Sequence, residues 1–122
     1  MTQTLILDLP RSVWMTANHR LHWRSKAERT ASVVLLARSA ALGLERVERV
    51  RLVVSVGYPP GVGRADAENA APTIKAAIDG IVRAGVLEDD DSTHVLSVTT
   101  QRGERSPMRG IYRLTIEIEE VT

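Results

Sequence analysis

The chain has 122 residues, 43% of them hydrophobic and 25% charged, which is material for one folded domain with a sizeable core (residues 1–122). It contains no cysteine, which excludes disulfides, Cys-based zinc sites and thiol catalysis and fits a reducing, intracellular setting. The formal net charge of +1, taken alone, argues against a general polyanion binder.

Thr4 to Leu9 alternates, with Leu5, Leu7 and Leu9 on one side. It reads as a strand closed by Pro10 rather than as a signal peptide. Arg11 to Arg24 is polar and irregular, and holds both Trp residues and two of the three His. Ser25-Lys26-Ala27-Glu28 has the form of a capping box, so a helix is expected from there to Leu42, ended by Gly43. Apolar residues wrap most of the circumference of Ala31 to Leu42, which predicts deep burial. The longest mostly apolar stretch, Ala31 to Leu44, is too short to span a bilayer, so no membrane role is expected.

Val50 to Tyr58 is the second strand, ended by Pro59-Pro60-Gly61. After a Gly-rich loop, Pro72 suits a helix's first turn, and Ile74, Ala77, Ile78, Ile81 and Val82 form an amphipathic stripe that Gly85 can stop. Glu88-Asp89-Asp90-Asp91 follows in a loop. Val95 to Thr100 reads as a strand, Arg102 to Gly110 as a polar hairpin connection, and Ile111 to Glu119 as the cleanest strand. The expected fold is α+β, in the order β-α-β-α-β-β, with a mixed sheet packed against two helices.

The carboxylates are the informative feature. Asp66 and Glu68 precede the second helix and the acidic run follows it. A helix of about 15 residues is about 22 Å long, so the two groups meet only if the chain folds back or a second chain supplies one of them. If they converge, they form an oxygen-only site suited to Mg²⁺. The same residues also read as helix capping and a solvated acidic turn. Likewise Lys75, Asp79 and Arg83 read as a surface ladder. His19, His22 and His94 lack the further ligand clusters of a zinc site. With no Phe and only Trp14, Trp23, Tyr58 and Tyr112 as large aromatics, an aromatic platform for single strands is not expected.

Three stretches carry a resemblance: Arg64-Ala65-Asp66-Ala67-Glu68-Asn69, Lys75-Ala76-Ala77-Ile78-Asp79-Gly80, and Ala84-Gly85-Val86-Leu87-Glu88-Asp89-Asp90. Together they resemble the RusA family of Holliday junction resolvases, and Leu9-Pro10, Ser12, Asn18 and Arg20 are similar to that family's N-terminal positions. The resemblance implies a homodimeric, Mg²⁺-dependent endonuclease, with Mn²⁺ as a substitute ion, that cuts four-way junction DNA by paired symmetric nicks in recombination and repair. It implies a bacterial or phage-infected cytoplasm.

By the same resemblance Asp66, Glu68 and Asp90 hold metal, with Asp89 and Asp91 as alternative registers, and Lys75 stabilises charge on the scissile phosphate. Two departures stand out. Glu68 replaces an Asp, and three extra residues, Pro72 among them, separate Asn69 from Lys75 relative to the pattern. The other readings are a non-catalytic branched-DNA-binding protein and a metal-dependent nuclease with another substrate.

DNA contact is expected from Asn18, Arg20, Arg24, Lys26, Arg64, Asn69, Arg102, Arg105 and Arg109, since Arg forks bind phosphate bidentately. The charge map supports this. Residues 11–64 sum to +7 and residues 66–91 to −5, so near-neutrality overall conceals a basic half and an acidic segment.

Overall fold

Alternating sequences become strands here because one face of each is apolar and buries itself. In the computed structural model, which describes residues 1–63 and 65–122, β1 spans Thr2–Pro10, β2 Val50–Gly57, β3 Val95–Arg102 and β4 Ile111–Glu120. Helix α1 spans Trp23–Ala41, and a 3₁₀ turn, Ala67–Ala70, runs directly into α2, Ala71–Arg83. The element order is the expected β-α-β-α-β-β.

The four strands form one mixed sheet in the order β1-β4-β2-β3. β4 is antiparallel to both β1 and β2, while β3 joins β2 in parallel through the α2 crossover. Register puts Leu7 and Val56 on either side of Leu114, and Leu5 and Val54 on either side of Ile116. These side chains all point to the helix side and are buried. Ile116 is fully enclosed, so Ile116→Ala would cost about 2–5 kcal/mol.

Three expectations are corrected. Helix α1 starts at Trp23, before the capping box, and His22 caps it by accepting a hydrogen bond from the Arg24 N–H at its Nδ1 (3.2 Å). Ser25 therefore lies inside the first turn. Second, α1 buries only one face, Val33, Val34, Ala37 and Ala41, while Leu35 and Leu42 stay about 60% exposed (62% and 61%). The layer beneath it reaches one side only, so an apolar circumference did not mean enclosure. Third, Arg102 to Gly110 is not a hairpin, because β2 lies between β3 and β4. The crossover fills one edge of β2 with β3, which leaves β4 the other edge. The connection therefore crosses the end of β2, where Gly103 N–H donates to Val56 O and Ser106 N–H to Tyr58 O (both 2.9 Å).

Helix α2 behaves as its stripe predicted. Pro72 sits in the first turn, Ile74, Ala77, Ile78 and Ile81 are buried, and Gly85 ends the helix with φ +87°. Gly80 lets α1 and α2 approach closely: a Cβ there would stand 2.6 Å from the Ala37 Cβ and the Val34 carbonyl oxygen. No helix among the described residues is long and apolar enough to cross a membrane.

Candidate active site

The parallel β2-α2-β3 unit places the C-terminal ends of β2 and β3 on one edge of the sheet, where open α/β units gather ligands. β2 leaves that edge through Tyr58, whose ring packs edge-on against Trp14 and Tyr112 (centroids 6.3 and 5.8 Å). Trp14 stacks flat on Tyr112 at 4.3 Å, so it serves the core beneath the site. Burial, reinforced by the nearby Tyr112, raises the Tyr58 hydroxyl above its ordinary range, and the hydroxyl donates to the Asp66 carbonyl oxygen at 3.5 Å.

Pro59-Pro60-Gly61-Val62 then turns the chain. Val62 N–H donates to Pro59 O at 3.4 Å and Gly61 takes φ +80°, the pattern of a type II turn with Pro second and Gly third. Asp66 occupies the N-cap position of the 3₁₀ turn, and Asn69 N–H donates to its carbonyl oxygen (2.9 Å). Its carboxylate makes no cap hydrogen bond, so it is not consumed by capping. Asp66 and Glu68 are both exposed and line an open depression of about 500 Å³, whose other wall is Thr100, Gln101 and Arg102 at the end of β3.

The irregular basic stretch docks beside this depression. Thr73 is buried in the first turn of α2 and exchanges two hydrogen bonds with Met15: its Oγ1 accepts from Met15 N–H (2.9 Å) and donates to Met15 O (2.8 Å). Ala17 N–H donates to Asn69 O (2.9 Å), and the Asn18 side-chain amide donates to Asn69 Oδ1 (3.2 Å). Arg29 Nη1 donates to Trp14 O at 2.7 Å, tying the stretch to α1.

The remaining candidates distribute as follows. Lys75 and Lys26 are exposed and line, with Asp79 and Pro72, a separate groove of about 480 Å³ between the helices. Arg24 lies 5.1 Å over the Trp23 ring, and Arg20 and Arg109 are exposed. Arg105 donates to the carbonyls of Pro59 and Val62. Arg64 lies outside the described residues.

Asp90 is at the opposite end of α2 from Asp66 and Glu68. Loss of hydration, a hydrogen bond with Asp89 and the charges of Asp79 and Asp89 raise its carboxyl above the usual range. Its neighbours Asp89 and Asp91 are turned to local bonding. Asp89 Oδ1 accepts from Asp90 N–H (2.7 Å), and Asp91 Oδ1 takes the Thr93 and His94 N–H groups (3.1 Å each) and pairs with His94 Nδ1 (2.7 Å). Among the described residues no three His, Asp or Glu side chains of one chain gather into a metal-holding group. Asp66 and Glu68 still fit a hard cation. They are two open oxygen donors, and Mg²⁺ is normally held by one or two carboxylates, waters and substrate phosphate.

Thr73, Thr100 and Gln101 were not foreseen. Thr100 and Gln101 were marked in the sequence only by the strand-helix-strand pattern that brings the two strand ends together. Thr73 carries no such signal. Comparison with models of known protein families gives no match, and comparison with curated proteins gives none.

Proposed function

We propose that the chain is a Mg²⁺-dependent, structure-selective DNA endonuclease of the bacterial or phage-infected cytoplasm that resolves four-way junctions by paired symmetric nicks. The observation that carries the reading is the Asp66–Glu68 pair, uncapped and open, facing Arg102 across one depression. A bound Mg²⁺ supplies an activated water and neutralises charge on the phosphate under attack. The protein's own groups do the rest. Asp66 and Glu68 hold the ion, with Mn²⁺ as substitute, and Arg102 meets a non-bridging phosphate oxygen from the opposite wall. Asn18 and Asn69 contact the adjoining backbone, flanked by Arg20, Arg24 and Arg109. Lys75, with Lys26, binds the strand that leaves through the inter-helix groove.

Two symmetric cuts require two copies, and a two-fold dimer matches the junction's own pseudo-symmetry. The outer edge of β3 is free for a second copy among the described residues. Antiparallel pairing along that edge would lay the Val95 end of one strand beside the Arg102 end of the other. It would bring the partner's Asp90 toward Asp66 and Glu68, which one chain alone does not do.

The test is a labelled synthetic four-way junction incubated with the protein, with Mg²⁺ or with chelator, alongside Asp66→Asn. Paired nicks that need both metal and Asp66 are expected. Tight junction binding without nicking in any metal would make the chain a non-catalytic branched-DNA binder. Equal cleavage of linear duplex would make it a nuclease of another substrate.

A further inference from the structure

Arg105, expected to contact DNA, is exposed, yet one of its guanidinium nitrogens is bound to the protein's own backbone. Its Nη1 donates to Pro59 O at 2.8 Å and to Val62 O, the first and last residues of the turn that leads toward Asp66. The Pro59 carbonyl thus serves both the turn's own bond from Val62 N–H and the bond from Arg105. The segment that carries Arg105 is itself fixed to the end of β2 by Gly103 N–H to Val56 O and Ser106 N–H to Tyr58 O. Ser106 is buried, which anchors the base of the Arg105 side chain. The chain leaving β2 is therefore held on both sides: by Tyr58 to the Asp66 carbonyl, and by Arg105 across the turn.

We infer that Arg105 is a positioning residue, a clamp on the Pro59–Val62 turn that sets where the Asp66 and Glu68 carboxylates stand. This rests on the functional reading above for its catalytic consequence, but not for the clamp itself. A charge-assisted pair of hydrogen bonds to two carbonyls is stronger than neutral ones and fixes direction as well as distance. A catalytic group displaced by about 1 Å loses about a hundredfold in rate, so a loosened turn acts on chemistry rather than on DNA affinity.

The test compares Arg105→Met and Arg105→Lys with the unaltered protein. Three readouts are taken: amide exchange by NMR, junction affinity across a salt series, and single-turnover nicking at saturating protein. Arg105→Met is expected to speed exchange at Val62 and Asn69, whose N–H groups bond to Pro59 O and Asp66 O. It should slow saturated nicking by about tenfold or more, with junction affinity and its salt slope unchanged. Lysine, which keeps a charged multiple donor, should recover much of both losses.

A fall of about one unit in the salt slope, with saturated nicking and exchange intact, would make Arg105 a phosphate contact and overturn the inference. Unchanged exchange and rate in Arg105→Met would also overturn it. If the unaltered protein nicks no junction, the functional reading fails. The exchange data then decide the clamp alone.

Discussion

At the N-terminal end of α2, Asp66 makes no cap hydrogen bond, and it and Glu68 face Arg102 across an open depression. At the C-terminal end, Asp91 takes two backbone N–H groups and the His94 ring on one oxygen, and Glu88 lies 3.4 Å from the other nitrogen of that ring. Asp89 bonds the next backbone N–H. Both ends are acidic, but in the louder acidic run Asp89 and Asp91 each commit an oxygen to shaping the entry to β3. The quieter pair keeps its oxygens for something else. Density of charge in a sequence is thus a poor guide to which carboxylates are available, because a short acidic turn satisfies its own backbone first.

The sharpest way to break this comparison is to remove one oxygen from each end. Asp66→Asn should reduce metal-dependent nicking of a four-way junction by about a hundredfold or more, with its melting temperature unchanged. Asp91→Ala should lower the melting temperature by a few degrees, because it removes a cap and the His94 partner together. If the two variants exchange these phenotypes in matched cleavage and thermal-melt assays, the assignment of roles is wrong.

The comparison also depends on α2 as a rigid spacer of about 20 Å. Gly80→Ala tests it: the added methyl would drive into Ala37 and the α1 backbone at 2.6 Å. It should cost about 1–3 kcal/mol in urea unfolding despite alanine's better helix propensity. No loss would mean that the helices part without strain.

The smallest effect expected is a pH dependence confined to the C-terminal end. The hydrogen bond to Asp91 raises His94 above its ordinary 6.5, and the same bond holds Asp91 below its ordinary 3.8. A raised His stabilises the fold fully below 6.5 and loses that contribution as pH rises through its folded value. A depressed Asp contributes above 3.8 and loses its contribution as pH falls through its folded value. The pair therefore contributes most between those limits. The melting-temperature gap between the unaltered protein and His94→Gln should be widest near about pH 5 and should narrow above neutrality. A gap that is flat with pH would show that the ring acts by packing alone.

Much of the fold was legible because periodicity is a local record of which face is apolar. Leu5, Leu7 and Leu9, the alternation from Tyr112 to Ile118, and the stripe on α2 each named their buried side correctly. Pro72 and Gly85 marked the start and stop of α2 because each restricts or frees a backbone angle without help from the rest of the molecule. The first helix was less legible. Ser25 and Glu28 carried a capping pattern, yet His22 supplied the cap, and the apolar Leu35 and Leu42 remained open.

The site was legible only in part. Asp66 and Glu68 could be singled out by their place between a strand and a helix. That Arg102 stands opposite them, that Arg105 bonds the Pro59 and Val62 carbonyls, and that Asn18 meets Asn69 were not encoded in any local pattern. By itself the sequence determined the elements, their order and, outside α1, their apolar faces. The tertiary structure decided that β2 separates β3 from β4, that the ends of β2 and β3 share one edge, and that among the described residues the chain does not fold back to gather the two acidic groups into one site. The physical reason is that side-chain periodicity fixes which face of an element is buried, whereas distances between residues far apart in the chain depend on which edges the strands find free and on the length of the helix that joins them.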